Sequence, residues 1–132
     1  MRKYCFGSVT VLLVAMLSLG VGRRARAQES AAKASSATTV KGYVIDSACT
    51  FTKHLKKPIS SDCAIACAKA GSPLVIQTAE GVIYWPISSD TPASGQNDKL
   101  MSYAGKMVSV TGKVYTRGGS RAIAIEKVEA AE

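Results

Sequence analysis

Cys49, His54, Cys63 and Cys67 include three of the four cysteines and the only histidine of this 132-residue chain, and they fall within nineteen residues of one another. Thiolate sulfur and neutral imidazole nitrogen are the donors of zinc sites, and thiolates alone suit Cu(I). Cysteines also pair as disulfides, and an activated thiolate serves as a redox centre. The cluster therefore allows three kinds of chemistry: a structural bridge, a metal site and thiol redox work.

Spacing begins to separate them. Ser60 or Ser61 can cap a helix with Asp62 in its first turn, a body over residues 63–70, Gly71 just past its end and Pro73 beyond. On such a helix Cys63 and Cys67 share one face a single turn apart, with Cβ atoms about 5–6 Å from each other, whereas a relaxed disulfide needs about 3.8 Å. The two are not expected to bond each other. The expected bridge joins Cys49 to Cys63 or Cys67, closing a loop of about 14–18 residues and stabilising the fold by about 3 kcal/mol in the chain-entropy account. One thiol is then left over, with burial as a small apolar side chain as its expected fate.

The metal alternative uses Cys49, His54, Cys63 and Cys67 together, three sulfurs and one imidazole, as a ligand set for zinc, or the sulfurs alone for copper. Their spacing, Cys-x4-His-x8-Cys-x3-Cys, matches no standard zinc finger or ribbon, and His54 lies among Lys53, Lys56 and Lys57, whose charge disfavours a cation. Redox catalysis ranks third, because the chain has no Cys-x-x-Cys pair. Asp46 and Asp62 flank the cysteines as possible ligands or bases, but Asp62 is explained by the helix N-terminus. A lone loop histidine makes no catalytic triad, and neither a phosphate-binding glycine loop nor a nucleotide fingerprint is present.

The N-terminus fixes the expected compartment. Met1, Arg2 and Lys3 form a basic start, residues 8–21 an apolar run, and Ala25-Arg26-Ala27 a small-x-small cleavage pattern, so residues 1–27 read as a signal peptide cut before Gln28. Cys5 leaves with that peptide. Periplasmic or extracellular location follows, with no membrane span after cleavage, and in such a compartment a disulfide is the default for a small domain. The formal charge of +8 falls to +3 once Arg2, Lys3, Arg23, Arg24 and Arg26 are removed. Nucleic acid is accordingly not an expected partner.

Residues 28–38, rich in Ala and Ser, read as a flexible tether, and residues 39–132 as one domain. Residues 39–46 form a first expected strand, 50–59 a polar loop, and 74–78 and 82–87 a hairpin turning at Ala79-Glu80-Gly81. A short helix is expected over residues 99–104. Two alternating strands follow, 107–115 with Val108, Val110 and Val114 on one face, and 122–128 after the turn at Arg117-Gly118-Gly119-Ser120. The fold class is mainly β: a five-stranded OB-like barrel with a cysteine-bearing helical insertion after strand 1 and a short helix between strands 3 and 4. An open sheet with one packed helix is the alternative. Tyr84, Trp85, Tyr103 and Tyr115 read first as packing residues and second as a ligand-binding face.

Three patterns, Gly42-x-Val44-x-Asp46-Ser47-x-Cys49, Cys63-x-x-x-Cys67-x-x-x-Gly71 and Ala104-Gly105-Lys106-x-Val108-x-Val110-Thr111-Gly112-Lys113-Val114, resemble those of small exported bacterial proteins of unknown function. The likeness spans about residues 40–128. It implies an OB-like barrel and carries no catalytic residue with it. The expected function is a non-enzymatic binding or accessory module for an unknown small ligand or protein, stapled by the bridge from Cys49. A zinc or copper carrier or sensor is the rival reading.

Overall fold

A computed structural model describes residues 33–58 and 60–132. The expected signal peptide, residues 1–27, lies outside the described residues, as does the start of the expected tether.

Five strands close into a barrel in the order β1 (Lys33–Asp46), β2 (Leu74–Gln77), β3 (Ile83–Ile87), β5 (Ser120–Ala130), β4 (Met107–Arg117) and back to β1. Neighbours run antiparallel except β3 and β5, which are parallel. This is the expected OB-like topology, and closure removes the open edges that the alternative sheet would carry. β1 is long because it serves two partners: residues 43–46 pair with β2 and residues 33–43 with β4. Lys33, Ala34, Ala37 and Thr38, expected within the tether, are therefore paired strand, with an irregularity between Ala34 and Ala37. The change of partner occurs beside Gly42, where a Cβ would stand 2.6 Å from the Gln77 carbonyl oxygen, so only glycine lets the strands approach this closely.

Alternation fills the barrel. Val44, Leu74, Ile76, Val108, Val110 and Ile123 are buried in one cluster with Leu100, and Tyr84, Tyr103 and Val114 pack against it. Each large side chain removed from water in this way contributes about 1.5–3 kcal/mol. Leu100 comes from α3 (Asn97–Leu100), which continues into a 3-10 turn at Met101–Tyr103, so the expected short helix is present with an earlier start. Among the described residues no helix is long and apolar enough to cross a membrane.

Two further helices lie between β1 and β2: α1 (Ser47–Thr52) and α2 (Ser61–Lys69). α2 matches the expected helix. α1 does not: residues 50–52, expected in a polar loop, belong to a helix that begins directly where β1 ends. Ile45 and Val75 are register partners outside the central cluster, and both are fully buried. Burial on that side of the sheet needs a covering layer, and α1 and α2 both touch β1.

Candidate functional site

Each cysteine is placed by a helix end fastened to the barrel. Asp46 is the last residue of β1, paired with Leu74, and its Oδ1 accepts the Cys49 backbone N–H at 2.9 Å, which starts α1 with an N-cap of the usual kind. The Ser47 N–H donates to the Pro73 carbonyl at 2.9 Å, tying the same turn to the entry of β2. Cys49 therefore sits one turn from a fixed strand end.

α2 is capped by Ser60, whose Oγ accepts the Cys63 N–H at 3.1 Å, with Asp62 in its first turn and Lys69 in its last, as the helix dipole favours. Ala64 and Ala68 form its buried stripe, and Cys63 and Cys67 occupy the adjoining positions along the same flank. Beyond its end the Ser72 N–H donates to the Cys67 carbonyl at 3.0 Å, and Gly71 adopts φ +99°. The Asn97 side chain locks this end: Oδ1 accepts the Leu74 N–H at 2.8 Å while Nδ2 donates to the carbonyls of Ala68 at 3.3 Å and Ser72 at 2.9 Å. At the other end Gly105, φ +82°, leaves room for Ser61, whose Cα would lie 2.8 Å from any Cβ there. Its own N–H and the Lys106 carbonyl bond to Val44 at 2.9 and 3.0 Å, so the Ala104-Gly105-Lys106 motif seats α2 against β1.

The result is a cluster of three sulfurs. The Sγ atoms of Cys49, Cys63 and Cys67 all lie within 4.8 Å of one another. Cys49 forms the buried floor, and Cys63 and Cys67 are half-buried. No disulfide links the three in this structure, although both partners expected for Cys49, Cys63 and Cys67, are at hand. Tetrahedral zinc with Zn–S bonds of about 2.3 Å places its sulfurs about 3.8 Å apart, a spacing of the kind this cluster offers.

The surroundings of Cys49 and Cys67 favour their protonated state. Cys49 is pushed up from 9.0 to about 11, first by the hydrogen bond between its thiol and Asp46, then by burial and by the carboxylate's negative field, with Lys53 opposing. Partial burial raises Cys67, helped by the charges of Asp46 and Cys63. Such thiols are poor nucleophiles but remain metal ligands, because a bound cation supplies the charge that displaces the proton.

His54 is exposed, at φ +51°, on the turn after α1, and it does not belong to the sulfur cluster. Asp62 is exposed and serves the helix N-terminus. Tyr84 and Tyr103 line the core, while Trp85 lies outside it, stacked on Phe51 with ring centroids 6.2 Å apart. Asn97 and Gly105 are not legible as site residues in the sequence. An Asn opening a short helix and a Gly ending one look like ordinary capping residues, and their targets lie far away in the chain.

No protein family, no curated protein and no solved structure matches this chain.

Proposed function

We propose that this barrel is an exported, non-enzymatic binding module that takes up a thiophilic metal ion through Cys49, Cys63 and Cys67. The observation that supports this reading is the convergence of three free sulfurs from two helices to within 4.8 Å. Clusters of this kind suit zinc or Cu(I), whose preference for thiolate over oxygen donors is strong. His54 is left out of the ligand set, so three sulfurs alone replace the sulfur-and-imidazole set drawn from the sequence. Thiol catalysis fits less well, because an attacking cysteine needs a depressed pKa and Cys49 carries a raised one.

A disulfide from Cys49 to Cys63 or Cys67 would consume two of the three donors. Staple and metal site therefore exclude each other, and one experiment separates them. Protein purified from its native compartment is analysed for metal and free thiols together. Near one equivalent of zinc or copper, lost in Cys63→Ser, supports the metal reading. One free thiol and no metal returns the function to a stapled accessory barrel.

A further inference from the structure

We propose that the centre best matched to this cluster is a trivalent thiophilic metalloid of the arsenite type, held as a neutral tris-thiolate. The inference rests on the reading of Cys49, Cys63 and Cys67 as one ligand set, and it names the chemical class that set would take.

Donor number is the first argument. The group drawn together within 4.8 Å consists of three sulfurs, and no carboxylate oxygen or imidazole nitrogen among the described residues joins it. Zinc in a structural site wants four ligands and would have to recruit water or an outside donor. A trivalent metalloid wants three, arranged as a pyramid with its lone pair on the remaining side. The cluster has that one-sided form: Cys49 is buried beneath, and Cys63 and Cys67 are half-open to solvent. The open side requires no ligand.

Charge is the second argument. Asp46, 4 % exposed, accepts the backbone N–H of Cys49 at 2.9 Å, so a buried carboxylate abuts the site. Three thiolates around Zn²⁺ leave one negative charge beside it, and around Cu(I) they leave two. Uncompensated charge of one sign next to a buried carboxylate is unfavourable. Three thiolates around a trivalent centre leave none.

The reaction balances without a redox partner. Arsenous acid, As(OH)₃, exchanges its three hydroxyls for three thiols: three As–O and three S–H bonds break, three As–S and three O–H bonds form, and three waters leave. The oxidation state stays at three. No proton is released or consumed overall.

The test uses the full exported chain, reduced and kept free of oxygen, titrated with arsenite while reactive thiols are counted. The expected result is one equivalent bound, with the count falling from three to zero. Wild-type protein gives this readout, so it does not depend on a variant that folds poorly. Loss of only two thiols, or no binding at all, overturns the inference. A parallel titration with zinc and Cu(I) keeps the two proposals apart: Cys63-dependent binding of either ion without arsenite binding leaves the metal reading standing and removes this one. If neither arsenite nor a metal protects the thiols, both fall.

Discussion

Asp46 acts on Cys49 twice: its Oδ1 accepts the Cys49 backbone N–H at 2.9 Å, and its carboxylate is the main cause that pushes the Cys49 thiol up to about 11. The first effect starts α1, and the second keeps the thiol protonated in the absence of metal. One residue at a strand end thereby sets both the position and the charge state of the floor of the cluster.

Replacing Asp46 by Asn separates the two roles. Asn is as good an N-cap as Asp, so α1 should survive, while removal of the negative charge lets the Cys49 pKa fall from about 11 toward 9.0. The pH midpoint for alkylation of Cys49, in a background with Cys63 and Cys67 replaced by Ser, should move down. Asp46→Ala loses the cap as well and should cost about 1 kcal/mol more in urea unfolding. An unchanged alkylation midpoint in Asp46→Asn would show that the carboxylate does not govern the thiol.

Stability of the reduced, metal-free protein should depend on alkaline pH in a defined direction. Because the folded-state pKa of Cys49 lies above the ordinary 9.0, the fold binds this proton more tightly than the unfolded chain does. The contribution is complete below pH 9.0 and is lost as pH rises toward about 11. Urea midpoints measured across that interval should fall for the wild type and fall less for Cys49→Ala. Parallel curves for the two proteins would contradict the assignment.

Asn97→Ala removes three hydrogen bonds at the junction of α2 and β2. At about 0.5–1.5 kcal/mol each, a loss of about 1.5–4.5 kcal/mol is expected. Metal affinity should drop with it, since the end of α2 that carries Cys67 is released while all three thiols remain. Wild-type stability together with wild-type affinity would show that the clamp is dispensable.

At Gly105 the expected defect is local. Gly105→Ala places a methyl group against the Ser61 backbone and forces an Ala to φ +82°, a combination that should cost about 1–3 kcal/mol. The N-terminal turn of α2 should lose protection in hydrogen exchange before the barrel strands do. Uniform loss of protection across β4 and β5 would place the defect elsewhere.

The barrel is legible in the sequence because its strands alternate cleanly and its turns carry glycine. Val108 and Val110 point into the core, and Ser60, Asp62 and Gly71 bracket α2 as capping chemistry requires. α1 is hidden because it is six residues long and rich in Thr and Phe, which favour strands, and because its cap is itself the last residue of a strand. The extension of β1 to Lys33 is hidden by a stretch of Ala and Ser with no apolar alternation, held in place by its pairing with β4. The cysteines stand out by type and spacing. Their convergence does not, since it depends on Asp46, Asn97 and Gly105 fixing two helix ends against strands that are distant in sequence. His54, exposed and at φ +51° on the turn after α1, likewise stands outside the sulfur cluster.

X-ray absorption at the metal edge of the zinc- or Cu(I)-loaded protein tests the central claim most directly, because it counts the ligand atoms around the ion. If Cys49, Cys63 and Cys67 bind together, the first shell holds three sulfurs at about 2.3 Å, and a single Cys63→Ser exchange reduces that number. A first shell of nitrogen and oxygen, or one unchanged in Cys63→Ser, would contradict the three-sulfur site.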